Sequence, residues 1–289
     1  MQDFQSKVAV VTGASSGIGR GLARQCAAEG MRVVVADVDE EGLEEIRSEL
    51  EKRGSEVCAL PTDVRHAENV EALAQATLDA FGSVDLVFNN AGVLLSGFAW
   101  ERTDDDWRWV LDVNLFGVIN GVRSFMPILL DQGGPAHMVN TASVGGLMAG
   151  PFLSPYIVSK HAVVALTESI YHELATLDTQ VGISVLCPGP IATGIGDSER
   201  IRPVDQSDTR ALESEAEKEY DTLLSSGIMS GMDPDEVGRI VFEGLRNDRF
   251  WIYTHPVYKE AIQGRMESIL SGTNPAHAME LPEDLAPES

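Results

Sequence analysis

The chain has 289 residues, of which 44% are apolar and 6% aromatic, and its formal net charge at pH 7 is −24. A chain of this length can bury a sizeable core, either as one large domain or as two small ones. The strong negative charge and the lack of a basic patch argue against nucleic-acid binding, because a phosphate backbone would be repelled.

Short apolar runs alternate with longer amphipathic segments from the start of the chain to about residue 253. The apolar runs predict buried strands at residues 8–11, 32–36, 56–60, 86–88, 136–140, 182–186 and 250–253. Apolar residues at helical spacing predict helices at residues 17–29, 39–53, 69–81, 104–130, 155–176 and 235–247. This alternation predicts an α/β fold, a doubly wound parallel sheet with helices on both faces.

No linker interrupts the alternation, so we predict a single domain over residues 1–271. Residues 194–232 are too long for an ordinary connection and are expected to be either functional or mobile. Four residues in that segment suggest a short amphipathic helix: Leu212, Ala216, Tyr220 and Leu223. From Gly272 the chain turns polar and proline-rich, which predicts a loose acidic tail over residues 272–289.

The three cysteines, at positions 26, 58 and 187, are odd in number and lack metal-ligand spacing. We therefore predict a reducing, cytoplasmic setting and no metal site. The first seven residues contain no apolar stretch and no apolar run is long, so we expect neither a signal peptide nor a membrane span.

The segment Thr12–Gly19 joins the first predicted strand to the first helix and has glycines at positions 13, 17 and 19. Such glycines let the backbone approach a pyrophosphate at the positive end of a helix, although they can also serve tight packing alone. Asp37 follows the second strand, 24 residues after the first glycine, where a carboxylate can bind an adenosine ribose. The three glycines and the carboxylate, at this spacing, predict dinucleotide binding.

The same carboxylate bears on the choice of cofactor. Asp37 would repel the 2′-phosphate of NADP, and the next residue is Val38 rather than an arginine. Arg20 is a nearby basic residue that could favour NADP, but we expect it to face away from the ribose. We therefore predict NAD, with NADP as the less favoured alternative.

Tyr156 and Lys160 stand four residues apart, and Ser143 lies thirteen residues before the tyrosine. Ser154 is predicted to cap a helix that begins at Pro155, which places the tyrosine and the lysine on one helix face. A positive charge about 4 Å from the phenolate is worth roughly 4 kcal/mol at an effective dielectric of about 20. This would lower the pKa of Tyr156 toward neutrality, where a general acid or base works best. The alternative is a half-buried tyrosine beside a solvated lysine.

With these motifs in order, the chain resembles the short-chain dehydrogenase/reductase family over roughly residues 6–255. Further family motifs match Asp63 with Val64, Asn89–Gly92, and Pro188–Gly189. The resemblance implies a sheet of seven strands and four catalytic residues, Asn114, Ser143, Tyr156 and Lys160. It also implies these cofactor-binding residues: Gly13, Ser15, Ser16, Gly17, Ile18, Gly19, Asp37, Val38, Asp63, Val64, Asn90, Ala91, Gly92, Tyr156, Lys160, Pro188, Gly189, Ile191 and Thr193.

The resemblance implies a role for each catalytic residue. Ser143 hydrogen-bonds the substrate oxygen, and Tyr156 exchanges a proton with it. Lys160 lowers the tyrosine pKa and holds the nicotinamide ribose, while Asn114 positions a water that links the lysine to solvent. Hydride moves between the substrate carbon and the nicotinamide. Taken singly, Asn114 could instead cap a helix kink and Ser143 could be a turn residue.

The side chains expected around the substrate are mostly apolar, which predicts a hydrophobic cleft. The predicted substrate pocket consists of Leu94, Leu95, Ser143, Met148, Phe152 and Tyr156. Residues 194–232 are expected to form a lid over it, as in the family. The lid has nine acidic and four basic residues, which disfavours anionic thioesters unless Arg200 and Arg202 form a clamp. We therefore predict a neutral secondary alcohol or ketone as substrate.

Residues 114–127 and 250–256 are similar to those of bacterial aryl alcohol Cα-dehydrogenases, which favours an aromatic substrate. The family assembles through its two long helices, here residues 104–130 and 155–176, so we predict a homodimer or homotetramer. Two other functions stay open: NADP(H)-dependent carbonyl or C=C reduction, and a non-catalytic nucleotide sensor. Sensors tend to lose the tyrosine or the lysine, and this chain has both.

Overall fold

The apolar runs pair side by side to form one parallel sheet. In the computed structural model, which describes residues 1–275, the strands are β1 (Val8–Thr12), β2 (Arg32–Asp37), β3 (Val57–Pro61), β4 (Leu86–Asn89), β5 (Ala136–Thr141), β6 (Val181–Cys187) and β7 (Trp251–Tyr253). Their order in the sheet is β3-β2-β1-β4-β5-β6-β7, and each neighbouring pair is parallel. This confirms the predicted doubly wound sheet.

Helices cover both faces of the sheet. Over the described residues they are α1 (Gly17–Ala28), α2 (Glu40–Lys52), α3 (Ala67–Phe81), α4 (Asp104–Leu111), α5 (Gly117–Asp131), α6 (Ser154–Leu174), α7 (Glu215–Met229), α8 (Pro234–Arg246) and α9 (Tyr258–Ser271). Alternate residues of a strand point to opposite faces, so Ala9 and Val11 join the core under α1 and α8. Val8 and Val10 join the core under α3, α5 and α6. Burial on both faces explains why β1 is apolar throughout.

From β1 the sheet extends to one side through β2 and β3, and to the other side through β4 to β7. The strand order therefore reverses between β1 and β4. Such a reversal opens a crevice at the carboxyl ends of the strands, which is where parallel α/β sheets bind ligands. The Thr12 hydroxyl joins the two strand ends by accepting the backbone N–H groups of Asn90, at 2.9 Å, and Ala91, at 3.2 Å. The fold therefore places the glycine segment beside the Asn-Asn-Ala-Gly segment.

The long helix predicted at residues 104–130 is divided by a π-helical turn, Asp112–Phe116, between α4 and α5. The whole segment Asp104–Asp131 is long and apolar enough to cross a membrane by length and composition alone, a test that a core helix also passes. Phe125 and Leu129 of α5 are fully buried in the core of the sheet. Packing against the sheet accounts for the apolar character of this helix.

Two segments near the end of the chain differ from prediction. The helix expected in residues 194–232 is present as α7, but Ala216 and Leu223 are exposed and the buried residues are Glu217 and Ile228. The sequence did not predict α9, in which Tyr258 is the buried residue and apolar spacing is weak. Of the predicted tail at residues 272–289, residues 276–289 lie outside the described residues.

Candidate active site

A cavity of about 260 Å³ opens at the carboxyl ends of β1 to β6. Most of the predicted cofactor-binding residues line it: Gly13, Ser15, Ser16, Gly17, Ile18, Gly19, Asp37, Val38, Asp63, Val64, Asn90, Ala91, Gly92, Tyr156, Lys160, Pro188 and Thr193. The other two do not. Gly189 packs against His255 and Tyr258, and Ile191 is buried in the core. Both support the wall of the cavity from behind.

The glycine segment has the backbone geometry of a phosphate cradle. Gly13 and Gly17 have left-handed φ angles of 67° and 51°. A Cβ atom at Gly17 would lie 2.8 Å from Thr193 Cγ2, and one at Gly19 would overlap the Gly13 carbonyl. Ser16 is the N-cap of α1, and no side chain of the described residues caps the helix there. The N–H groups of its first turn therefore remain available to an anion, so the cradle fits a dinucleotide.

The carboxylate of Asp37 is held rigidly at the end of β2. One oxygen accepts the N–H of Ser15 at 3.0 Å and the other accepts the N–H of Asp39 at 3.1 Å. Val38, beside it, is 45% exposed and presents an apolar surface to the cavity. Arg20, which we considered for NADP, instead pairs with Glu45 and Glu49 of α2.

Asp63 lines the cavity but is already bonded to a neighbouring arginine. The guanidinium of Arg65 donates to Asp63 from Nη2 at 2.7 Å and from Nε at 3.0 Å. Sequence reasoning missed Arg65, although the opposite charges two residues apart offered a signal. It also missed these other lining residues: Asp39, Thr62, Val93, Trp109, Val113, Thr141, Ala142, Gly194, Ile195, Ser198, Ile201 and Pro203.

Tyr156 and Lys160 project from the first turns of α6 into the same cavity. The helix begins at Ser154 with Leu153 as its N-cap, so the prediction that Ser154 caps it is wrong by one residue. Lys160 donates from Nζ to the carbonyl of Thr141 at 2.9 Å and lies 5.6 Å from the centre of the Tyr156 ring. The predicted pair thus shares a helix face, and the lysine is buried rather than solvated.

The protein environment does not lower the tyrosine pKa. Burial raises the pKa of Tyr156 above its usual 10.0, and the hydroxyl of Ser143 only partly opposes this. Burial also lowers the pKa of Lys160 to about 8, because a cation is costly in this environment. The prediction that the lysine brings the tyrosine toward neutrality is therefore wrong for the protein alone.

Asn114 lies in the π-helical turn and is fully buried. Its side chain accepts the N–H of Val93 at 2.8 Å and donates to the Val93 carbonyl at 2.9 Å and to Ser159 Oγ at 3.1 Å. A Cβ at Gly92 would be 3.4 Å from both Asn114 Oδ1 and Lys160 Nζ. The amide and the ammonium therefore approach the same point beside Gly92.

Ser143 has the turn role that we considered and also adjoins the tyrosine. Its hydroxyl accepts the N–H of Gly145 at 3.0 Å in the 3-10 turn Val144–Gly146. A Cβ at Gly145 would lie 3.4 Å from Ser143 Oγ and 3.5 Å from Tyr156 Cε1. One small space thus separates the serine hydroxyl from the edge of the tyrosine ring.

The predicted apolar substrate residues lie outside the cavity, namely Leu94, Leu95, Met148 and Phe152. Leu95 packs with Trp109 and Val110 in a small core. Phe152 has a left-handed φ of 61°, and its ring packs against Phe98 and Tyr220, the latter on α7. Helix α7 therefore packs directly over this side of the site.

The arginine clamp considered for an anionic substrate does not form. Arg202 Nη1 pairs with the buried carboxylate of Asp106 at 2.7 Å, and its guanidinium lies 4.9 Å from the centre of the Trp109 ring. Arg200 lines the cavity but donates to the carbonyls of Gly194 and Asp197.

The chain is similar to known dehydrogenases in sequence and in overall structure. A family model described as short chain dehydrogenase matches residues 7–203. A short-chain dehydrogenase/reductase from Burkholderia phymatum, solved in complex with NAD, is 45% identical with a TM-score of 0.94 and covers 97% of this chain and 100% of its own. The C alpha-dehydrogenase of Sphingobium sp. SYK-6 is 32% identical over 95% of this chain and 89% of its own length. The CLA biosynthesis dehydrogenase/reductase of Lactiplantibacillus plantarum is 32% identical over 97% of this chain and 99% of its own length.

Proposed function

The chain belongs to the short-chain dehydrogenase family, and we propose that it oxidises a neutral, hydrophobic or aromatic secondary alcohol with NAD, or reduces the matching ketone with NADH. One observation carries the proposal: Tyr156 and Lys160 line the same cavity as the glycine cradle. A proton-transfer group and a nucleotide site are thus brought within one cleft, as hydride transfer to an alcohol carbon requires.

In this proposal the bound nicotinamide supplies the hydride chemistry, and the protein residues handle the proton. Tyr156 takes the hydroxyl proton during oxidation and returns it during reduction. The Ser143 hydroxyl, next to the tyrosine ring, orients the substrate oxygen. Lys160, bonded to Thr141, holds the cofactor ribose, and Asn114 connects the lysine to solvent through a water beside Gly92.

NAD is proposed over NADP because of the charge at the ribose end of the cavity. The Asp37 carboxylate is fixed by two backbone N–H groups and would repel a 2′-phosphate. The nearby Arg20 is occupied by glutamates of α2. The similar protein from Burkholderia phymatum was solved with NAD.

The substrate is proposed to bind under residues 194–232, which act as the lid. A net lid charge of −5 and the loss of Arg202 to an internal ion pair disfavour an anionic substrate. The similarity to a C alpha-dehydrogenase favours an aromatic one.

We further propose a homodimer or homotetramer in the cytoplasm. Phe116 and Val158, on the two long helices, are 48% and 47% exposed and would be covered by a second copy. The three cysteines, all among the described residues, are free thiols, as expected in a reducing compartment.

The test measures NADH formation with a panel of neutral secondary alcohols, for the wild type and for Tyr156→Phe, with NAD and with NADP. We expect turnover with NAD that falls by at least about 100-fold in the variant. Unchanged turnover in Tyr156→Phe would refute the mechanism, and tenfold better use of NADP would refute the Asp37 argument. Nucleotide binding without turnover on any alcohol or ketone would favour C=C reduction or a sensor.

A further inference from the structure

A continuous set of hydrogen bonds joins the nucleotide cavity to the lid and to the π-helical turn. It begins at Asp63 in the cavity wall and passes through the guanidinium of Arg65 to Gln206 in the lid. Gln206 then donates from Nε2 to Asp112 Oδ2 at 2.6 Å. Asp112 begins the π-helical turn that also contains Asn114.

Arg65 is the branch point of this set. Its Nε and Nη2 atoms face Asp63, while Nη1 donates to Gln206 Oε1 at 2.9 Å and reaches Asp205 at 3.4 Å. The side chain is only 11% exposed, so these bonds are shielded from water more than those of a surface ion pair. A planar guanidinium can bond to both sides at once, whereas a lysine ammonium is a point charge.

The lid residues that Arg65 contacts belong to a short segment, residues 202–206, which we name the strap. Its other end is held by Arg202, whose Nε donates to the Gln206 carbonyl at 2.6 Å and whose Nη1 pairs with Asp106. Pro203 of the strap lines the nucleotide cavity, as do Asp63 and Arg65. Gln206 does not line it and is itself buried.

We propose that Arg65 is a positioning residue that couples nucleotide binding to the ordering of the strap. The proposal rests on the nucleotide binding proposed above. A ligand that contacts the Asp63 side of the cavity restricts Arg65, and a restricted Arg65 holds Gln206 in place. Because ordering one side lowers the entropic cost of ordering the other, each event favours the other.

The test compares the full chain with Arg65→Met, Gln206→Ala and the double variant, with Arg123→Met as a control at an exposed arginine of α5. The dissociation constant for NAD is measured by calorimetry. Amide hydrogen exchange of the strap is followed with and without NAD.

We expect Arg65→Met to weaken NAD binding by about tenfold and Gln206→Ala by about fivefold, although Gln206 does not line the cavity. The double variant should be no weaker than Arg65→Met, because both changes break the same connection. NAD should slow exchange in the strap of the wild type and of Arg123→Met, but not in Arg65→Met.

Where the variants do weaken NAD binding, either of two results would still overturn the proposal. One is a double variant in which the two losses multiply. The other is an Arg65→Lys variant that restores both NAD affinity and strap protection, since charge alone would then suffice. A wild type that binds neither NAD nor NADP would instead refute the proposed function. Normal NAD binding in the wild type, with unchanged Arg65 and Gln206 variants, would refute only the coupling.

Discussion

The nucleotide half of the cavity and the lid are held in place by different forces. Around the glycine cradle, apolar strands and helices are buried on both faces of the sheet, and the backbone itself forms the site. In the lid, buried charges make the connections. Arg202 pairs with Asp106, Glu217 accepts the N–H of Phe98, and Asp221 accepts the hydroxyl of Ser96. The first arrangement follows from a hydropathy pattern, whereas the second depends on partners far apart in sequence.

Removing the buried carboxylate beneath the lid should have the greatest effect on stability. Asp106→Asn removes the buried carboxylate that lies beside Arg102 and Arg202, and leaves Arg202 only the more exposed Glu199 at 3.7 Å. We expect the free energy of unfolding to fall by about 3–5 kcal/mol in urea titrations. Asp104→Asn, at an exposed position of the same helical turn, is the matched control. Equal losses in the two variants would mean that buried charge does not hold the lid.

The cradle is tested by adding one methyl group. Gly17→Ala forces a Cβ into a left-handed backbone and toward Thr193, so we expect NAD affinity to fall by about 100-fold, or about 2.7 kcal/mol. Gly82→Ala has a φ of 77° and open space around its Cβ, so it carries the backbone strain alone. That control should cost about 1 kcal/mol of stability and leave NAD affinity intact. Calorimetry measures the NAD affinity, and thermal unfolding measures the stability. Equal NAD affinities in the two variants would contradict a role of the cradle in binding.

The burial of Lys160 comes at a cost to stability. Its pKa is lowered from 10.5 to about 8, so below pH 8 the folded protein carries the full cost of a buried cation. Between pH 8 and 10.5 the unfolded chain retains a proton that the folded one has lost, and stability recovers as pH rises.

We therefore expect Lys160→Met to abolish turnover yet to raise the free energy of unfolding at pH 7 by about 2 kcal/mol, after allowing about 1 kcal/mol for the lost bond to Thr141. The difference from wild type should shrink as the pH rises from 8 to 10.5. Urea titrations across this range measure it, with exposed Lys52→Met as the control. A destabilised Lys160→Met at pH 7 would show that burial does not disfavour the charged amine.

The smallest expected effect concerns the docking of α7. Glu217 is 1% exposed and accepts hydrogen bonds from Phe98 and Ser214, which hold its pKa below the usual value although burial opposes this. Glu217→Gln should cost about 1 kcal/mol and speed amide exchange within α7, while exposed Glu219→Gln should not. A carboxyl group whose pKa is lowered on folding stabilises the folded state at pH values above that pKa. The wild-type contact should therefore weaken only below about pH 4. Unchanged exchange in Glu217→Gln would show that α7 docks by apolar contact alone.

The residues that could be predicted from sequence are those whose role is local. Gly13, Gly17 and Asp37 follow strands that their own neighbours define, so their meeting in one cavity was foreseen. The inner face of α7 was mispredicted because its buried residue, Glu217, is satisfied by Phe98, 119 residues away. Arg65 was missed for the same reason, since its lid partner Gln206 comes from an irregular segment.

The Tyr156–Lys160 pair illustrates both outcomes. Spacing alone placed Tyr156 and Lys160 on one face of a helix, and the structure agrees. Spacing could not predict the balance between charge attraction and burial. In the structure, burial raises the pKa of Tyr156. That balance depends on the three-dimensional packing around α6.

In the proposed reaction, this protein moves a hydride between an alcohol carbon and NAD, with Tyr156 handling the proton. A secondary alcohol that carries deuterium on the carbinol carbon reports on both the hydride and the proton step. We expect one deuterium at nicotinamide C4 of the product in the wild type, and little or none formed by Tyr156→Phe. Reduced cofactor without deuterium, or equal labelling in the variant, would refute the proposed reaction.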